Sequence, residues 1–187
     1  MTEIILAFAA SNSKDSINRK LVELAVERYS QRRQADTQIE FLDLNDYEMP
    51  IYSIDRERTT GIPELAEEFY HKIGSADGVV VSFAEHNGTV TAAWKNIFDW
   101  MSRIETAVWQ QKVLLLLAAT PGKRAGAGVL GYAKLASFFG GRIAASLGIG
   151  EWVNAYDADK NLLINTTDIE ALDLALDHFS TALAGIE

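Results

Sequence analysis

Three short polar segments, each directly after an apolar run, carry the side chains that could bind an anionic ligand. The first segment, residues 11–18, supplies the hydroxyls of Ser11, Ser13 and Ser16 and the amide of Asn18. A helical pattern begins within it at Ile17. Hydroxyl and amide donors beside a helix N-terminus, where backbone N–H groups and the helix dipole favour negative charge, suit a terminal phosphate. The alternative is an ordinary polar loop in which a Ser or Asp residue caps the helix.

The second polar segment follows the apolar run 79–83 and consists of Glu85, His86, Asn87, Gly88 and Thr89. From residue 90 to residue 104, apolar side chains recur at three- and four-residue steps, which predicts a helix with one apolar face. A Gly-containing turn between a buried strand and a helix presents free backbone N–H groups at the carboxyl end of a sheet. Ligands of open α/β sheets bind at that edge, so this segment is a second candidate part of a site.

The third polar segment follows the apolar run 113–119 and begins with Pro121, Gly122 and Lys123. Gly122 permits a close backbone approach or a positive φ. Lys123 and its neighbour Arg124 add two cations beside the candidate site. These cations could meet the phosphates of a dinucleotide, or they could be solvated loop charges. Both interpretations stay open on the sequence alone.

The elements that must position these segments are strands that alternate with helices. Residues 4–10, 79–83 and 113–119 are nearly continuous apolar runs, as expected for parallel strands covered on both faces. A weaker strand is predicted at 39–44, nearer an edge, and a fifth at 142–149. Because parallel crossovers are right-handed, every strand-to-helix loop lies at one edge of such a sheet. The sequence thus predicts one doubly wound α/β domain over residues 1–187.

Two of the predicted helices carry recognisable end signals. In one, Pro63 marks the start and Gly74 marks the end. In the last helix, Thr167 and Glu170 have the spacing of a capping box, which predicts that the helix opens there.

Composition excludes several classes of function. The formal charge of −9 at pH 7 argues against nucleic acid as the main partner, because phosphate backbones are bound by basic surfaces. The chain has no cysteine, so disulfides, thiolate nucleophiles and Cys-ligated metals are excluded. Scattered histidines give no metal-ligand pattern. The apolar run 4–10 is short and follows Glu3 instead of a basic residue, which argues against a signal peptide. No run is long enough for a membrane span, and we expect a cytoplasmic protein.

The polar segments resemble those of the NADPH-dependent FMN reductase family, which are flavodoxin-like flavoproteins. Residues 85–89 stand where the family has Glu-Tyr-Asn-Gly-Ser, and residues 94–100 stand where it has a Leu-Lys-Asn-Ala-hydrophobic-Asp-Trp helix. The first segment keeps three residues of the family's Gly-Ser-x-Arg-x-x-Ser-x-Asn pattern. It departs at Ala10, in place of glycine, and at Ser13, in place of arginine. His86 replaces the family's tyrosine.

The resemblance implies a fold and a function. The fold is a three-layer sandwich around a five-stranded parallel sheet of order 2-1-3-4-5. FMN would bind with its phosphate on residues 11–18 and its ring along residues 85–89, beside the segment that begins at Pro121. NADPH or NADH would deliver hydride to the flavin, and a small acceptor such as free flavin or a quinone would take the electrons. No catalytic acid or base is nominated, because the cofactor carries the redox chemistry.

Two other functions stay open at this point. One is an FMN electron carrier that docks to protein partners, which an acidic surface would suit. The other is a Rossmann-type oxidoreductase without flavin. Gly126, Gly128 and Gly131 match the G-x-G-x-x-G spacing of dinucleotide-binding turns, but they lie in the fourth strand–helix unit and not directly after a strand.

The helix over residues 90–103 also predicts a subunit interface. Trp100 lies off its main apolar stripe and would be exposed in a monomer, and interface anchors are often aromatic. The family resemblance likewise implies a homodimer or a homotetramer. The alternative is that Trp100 packs under the following loop near Trp109.

Overall fold

A parallel sheet of five strands forms the centre of the fold, in a computed structural model that describes residues 2–33 and 36–185. The strands are β1 (Glu3–Ala10), β2 (Thr37–Leu42), β3 (Gly78–Phe83), β4 (Val113–Ala119) and β5 (Arg142–Ile149). Their order across the sheet is β2-β1-β3-β4-β5, and every neighbouring pair is parallel. The predicted order 2-1-3-4-5 is therefore confirmed.

Helices cover both faces of this sheet. In chain order they are α1 (Ile17–Arg32), α2 (Ile54–Thr60), α3 (Glu64–Ser75), α4 (Ala92–Ile104), α5 (Ala127–Ala133), α6 (Trp152–Ala155) and α7 (Thr166–Leu183). Helices α1 and α7 pack on one face, and α3, α4 and α5 pack on the other. A short hairpin of β6 (Tyr156–Asp157) and β7 (Leu162–Leu163) precedes α7. Within the described part of the chain, no helix combines the length and apolar character that crossing a membrane requires.

Burial of the strands follows the predicted pattern. Strands β3 and β4 are buried at every residue, as parallel strands covered by helices should be. The edge strand β2 has no fully buried residue, and Phe41 on it is 47% exposed. Strand β2 ends at Leu42 because the Asp43 carboxylate accepts a hydrogen bond from the N–H of Asn45 (2.9 Å) and opens a 3₁₀ turn.

The two predicted helix ends are wrong in detail, for different reasons. Helix α3 continues past Gly74 to Ser75. Gly74 serves a close approach instead, since a Cβ there would lie 2.6 Å from Oε1 of Gln110. Helix α7 has Asn165 as its N-cap, and the Asn165 side chain accepts a hydrogen bond from the N–H of Thr167 (3.0 Å). Asn165 is at least as good a cap as a threonine, so the helix opens before the predicted capping box.

Trp100 is buried within one chain, and the prediction that a monomer would expose it is wrong. Its exposed fraction is 1%, its Nε1 donates to the carbonyl of Pro50 (2.8 Å), and its ring meets Tyr52 edge-on. The segment before α2 is held over α4 by Asn96, whose Oδ1 accepts from the N–H of Tyr52 (2.8 Å) and whose Nδ2 donates to the carbonyl of Met49 (3.0 Å). This segment, and not the loop near Trp109, covers the indole.

We expect Trp100→Phe to destabilise the fold without changing the oligomeric state. The substitution keeps an aromatic ring but removes the shorter of the two hydrogen bonds to the Pro50 carbonyl, which still accepts from Nδ2 of Asn96 (3.3 Å). It also empties part of the space that the buried indole fills, and the two losses together cost about 1–3 kcal/mol. Urea denaturation measures the loss, and sedimentation measures the assembly. Phe138→Ser is the control, because Phe138 is 83% exposed and its loss should leave stability unchanged. A Trp100→Phe protein of full stability that dissociates into smaller species would contradict this account.

An ion-pair cluster joins α1 to α7. Asp173 accepts hydrogen bonds from Arg28, including one from Nη2 at 2.7 Å, and Nη1 of Arg32 lies 2.7 Å from the same carboxylate. The hydrogen bonds from Arg28 hold the pKa of Asp173 below its ordinary value of 3.8, against partial desolvation. A carboxyl group whose pKa is lowered by folding contributes stability that is present above its unfolded pKa and is lost as the pH falls through its folded pKa.

In Asp173→Asn, the free energy of unfolding should therefore decrease less steeply than in the wild type as the pH falls into the acid range. Above about pH 5 the variant lacks the charge pairs and is less stable than the wild type, and the difference shrinks as the pH falls below about 4. Thermal unfolding at a series of pH values measures how stability changes with pH in the wild type and in the variant. Asp55→Asn, on the exposed start of α2, is the matched control. Equal slopes in the wild type and Asp173→Asn would show that the cluster is not linked to folding.

Candidate functional site

The carboxyl ends of β1, β3 and β4 open into a cavity of about 480 Å³. It lies at the switch point of the sheet, where β1 and β3 are neighbours and the chain crosses from one face to the other. Residues of three loops line it: Ser11, Ser13, Asp15, Ser16, Ile17, Asn18, Ala84, Glu85, His86, Ala119, Thr120, Pro121, Gly122 and Arg124. The volume is in the range of small-ligand sites, about 300–1,000 Å³.

Most of the predicted site residues line this one cavity. The structure brings together Ser11, Ser13, Ser16, Asn18, Glu85, His86, Pro121 and Gly122. The other four do not line it: Asn87, Gly88, Thr89 and Lys123. Arg124, one of the two cations that the sequence places beside the site, also lines the cavity, and so does Thr120, which was not among the predicted site residues. Thr120 directly follows β4, so the rule that ligands bind at strand carboxyl ends could have found it.

The first loop offers hydroxyl donors beside the N-terminus of α1. Ser16 caps this helix, and its Oγ accepts a hydrogen bond from the N–H of Arg19 (3.3 Å). Ser11 Oγ accepts from the N–H of Ser13 (3.2 Å). Both hydroxyls thus use an oxygen lone pair, and within the described residues neither donates its hydrogen to a protein acceptor. These hydrogens are available to an anion in the cavity.

Asn18 is positioned differently from the three serines. It is buried, and its Nδ2 donates to the carbonyl of Ala119 (3.0 Å). Its Oδ1 accepts from the N–H of Ala119 (2.8 Å) and from Oγ of Ser82 (2.7 Å). The amide therefore ties the start of α1 to the ends of β3 and β4. What it contributes to the cavity is mainly the position of the first loop.

The second loop is a two-residue hairpin. His86 and Thr89 exchange two backbone hydrogen bonds, His86 N–H to Thr89 O (2.9 Å) and Thr89 N–H to His86 O (3.1 Å). The two residues between them have positive φ, 53° at Asn87 and 81° at Gly88. Asn-Gly is the favoured pair for such a type I′ turn. Asn87 and Gly88 therefore shape the loop, and Glu85 and His86 are the members that face the cavity.

Glu85 connects this hairpin to α5. Its Oε2 accepts a hydrogen bond from the N–H of Val129 (2.9 Å), in the first turn of the helix. Gly128 makes the contact possible, because a Cβ there would lie 2.6 Å from the carbonyl oxygen of Gly88 and 3.2 Å from Oε2 of Glu85. A Cβ at Gly131 would meet nothing within 4 Å. Gly128 thus serves the packing of the second loop, whereas Gly131 has no such role.

The third loop is braced by the chain that follows β5. The carbonyl of Gly122 accepts from the N–H of Glu151 (3.1 Å), and the carbonyl of Thr120 accepts from the N–H of Trp152 (3.1 Å). Thr120 Oγ1 also donates to the carbonyl of Gly122 (3.1 Å). These bonds fix the backbone of the loop at the mouth of the cavity.

The donor set and the space fit FMN. Hydroxyl hydrogens and backbone N–H groups at the start of a long helix suit a phosphate, and the cavity continues past His86 to Pro121 and Gly122, where a planar ring system can lie between two loops. The fold and this cavity define a flavodoxin-like α/β protein with a candidate ligand site at the carboxyl edge of its sheet.

Comparison with known proteins gives the family. The family model described as NADPH-dependent FMN reductase matches residues 4–147, and the chain therefore belongs to this family. It is 29% identical over 118 residues to an NADPH:quinone oxidoreductase from Arabidopsis thaliana, covering 63% of this chain and 58% of that protein. It is 32% identical over 80 residues to a quinone reductase from Escherichia coli K12, covering 43% of each. The chain thus spans about half the length of the curated relatives it matches.

Among solved structures, the fold is similar to that of FerB, a flavoenzyme NAD(P)H:(acceptor) oxidoreductase from Paracoccus denitrificans. The TM-score is 0.78 at 21% identity, with 98% of each chain covered. The whole described α/β architecture, including the region after residue 147, is therefore shared with that flavoprotein.

Proposed function

We propose that this protein is an NAD(P)H-dependent flavin or quinone reductase that works with bound FMN. The observation that carries the proposal is the meeting of three polar loops around one cavity at the switch point of the sheet, in a chain that belongs to the FMN reductase family. When bound, FMN supplies the redox chemistry, which is hydride acceptance from NADPH or NADH and electron transfer to a small acceptor.

The residues of the chain bind and orient the cofactor. Ser11, Ser13 and Ser16 would donate hydrogen bonds to the phosphate, whose charge the N-terminus of α1 would favour. His86 and its hairpin, together with Pro121 and Gly122, would hold the ring. Asn87, Gly88 and Thr89 act by fixing the hairpin, and Lys123 is exposed outside the cavity.

The acceptor that we propose is a quinone or a free flavin. Two of the relatives are named as quinone reductases, which supports a quinone. A homodimer or homotetramer remains a proposal that rests on the resemblance to the family. Trp100 gives it no support, because that side chain is already buried in one chain. Sedimentation at micromolar concentration tests the assembly independently of activity.

An FMN electron carrier is the second candidate, and the formal charge of −9 favours it, since an acidic surface suits docking to a basic protein partner. One experiment separates the two. The purified chain is mixed with FMN and NADPH or NADH, with and without a benzoquinone, and nucleotide oxidation is followed. Quinone-dependent turnover of many equivalents supports the reductase. Bound flavin with no nucleotide oxidation supports the carrier, and absence of flavin binding contradicts both.

A further inference from the structure

We infer that Arg124, on the third loop, supplies the cationic partner of the FMN phosphate that the first loop lacks. The inference rests on the proposed function, because it concerns the same cofactor. By the family resemblance, the third loop would lie beside the flavin ring. The inference gives this loop a second role, which is the main charged contact with the phosphate. Four observations carry it.

The first loop has no arginine in the cavity. Ser13 stands where the family has that residue, and it lines the cavity as a neutral donor. Lys14, its charged neighbour, is not among the lining residues. Arg19 lies near the same serines, but it lines the adjacent cavity on the β2 side and pairs with Glu23 and Asp43. In the cavity at the switch point, the serines and the helix N-terminus therefore supply hydrogen bonds without a full positive charge.

The other charged groups around the cavity increase the need for a cation. Asp15 and Glu85 both line it and are carboxylates. One oxygen of Glu85 accepts from the N–H of Val129, which leaves its negative charge in place. Arg124 is the only arginine or lysine among the lining residues of the described structure. A dianionic phosphate would otherwise enter a negative field.

Arg124 is free to take this role. Most ion pairs of the described residues join arginines or lysines elsewhere, on α1, α3, α4 and the β6–β7 turn, and none includes Arg124 or Lys123. Its side chain is exposed, and among the described residues its guanidinium makes no hydrogen bond that it would lose on binding an anion. A guanidinium can donate two parallel hydrogen bonds to a phosphate.

The backbone at Arg124 is fixed by its neighbours, so the Cα position of Arg124 is well defined. The N–H of Ala127 donates to the carbonyl of Arg124 (3.0 Å). The next carbonyl, that of Ala125, lies against Gly148 of β5, where a Cβ would come within 1.7 Å of its oxygen. Gly126 then turns the chain into α5 with φ +69°. Because the backbone at Arg124 is already fixed, less entropy is lost when the side chain is ordered on a ligand.

The test compares FMN with riboflavin, which has the same ring and lacks the phosphate. The full chain is freed of flavin by dialysis, and each flavin is titrated while its fluorescence is followed. Arg124→Ala should weaken FMN binding about ten- to a hundredfold, the loss expected for a charge-assisted hydrogen bond. Riboflavin affinity should change less than about twofold. Lys123→Ala is the matched control, with the same change in charge one residue away, and should leave both affinities within about twofold.

A second arm adds the family's residue to the first loop. Ser13→Arg should restore FMN affinity in the Arg124→Ala background and improve it less in the wild type, because the two guanidinium groups would serve one phosphate. Equal loss of FMN affinity in Arg124→Ala and Lys123→Ala would overturn the inference, because it would show that any positive charge near the cavity attracts the phosphate and that no direct contact is needed. Unchanged FMN affinity in Arg124→Ala with a raised KM for NADPH would also overturn it and assign the arginine to the nucleotide. Failure of the wild type to bind either flavin would instead refute the proposed function.

Discussion

Gly128→Ala is expected to weaken flavin binding at least about tenfold and to lower the free energy of unfolding by about 1–3 kcal/mol. The added Cβ would lie 2.6 Å from the backbone oxygen of Gly88, which cannot move without the hairpin, and 3.2 Å from Oε2 of Glu85. The hairpin must shift away from α5, and the hydrogen bond from the N–H of Val129 to Glu85 must lengthen or break. Flavin titration and urea denaturation measure the two effects.

Gly131→Ala provides the control for this substitution on the same helix. A Cβ at residue 131 meets no atom within 4 Å, so the change adds helix propensity without a clash. We expect flavin affinity equal to that of the wild type and a stability gain of about 0.5–1 kcal/mol. If the two variants behave alike, the second loop does not depend on its contact with α5.

Asn18→Ala is expected to have the largest effect on stability, a loss of about 2–4 kcal/mol. The substitution leaves the buried N–H and C=O of Ala119 and the hydroxyl of Ser82 without the amide that binds all three. The ends of β3 and β4 then lose their connection to the first loop. Affinities for FMN and riboflavin should therefore fall together, because the whole loop is displaced.

Asn12→Ala is the matched control, since Asn12 lies in the same loop, is exposed and does not line the cavity. It should leave stability and both affinities unchanged. The alternative for Asn18 is direct donation to the phosphate. That would appear as a selective loss of FMN affinity, with riboflavin affinity and stability preserved.

The sheet and the convergence of the three loops could be predicted because they depend on local patterns. Strands β1, β3 and β4 are continuous apolar runs, and the handedness of parallel crossovers brings their following loops to one edge. The type of the second turn was also within reach, since Asn87-Gly88 is the pair that a type I′ hairpin requires.

The remaining features depend on partners distant in sequence. The role of Asn18 is decided by Ala119, which lies 101 residues away. Trp100 was predicted to be exposed because the periodicity of α4 does not reveal that residues near Pro50 fold over it. Lys123 and Arg124 are equivalent as adjacent cations in a sequence. Which of them lines the cavity is set by the turn at Gly126 and by the contact of Ala125 with Gly148.

Anaerobic mixing of the FMN-loaded protein with one equivalent of NADPH tests the central claim most directly. Absorbance of the oxidised flavin is followed in a stopped-flow instrument, and a quinone is then added. We expect NADPH to bleach the bound flavin within the time of one turnover, and the quinone to restore its absorbance. A flavin that binds in this cavity but stays oxidised in the presence of NADPH and of NADH would contradict it.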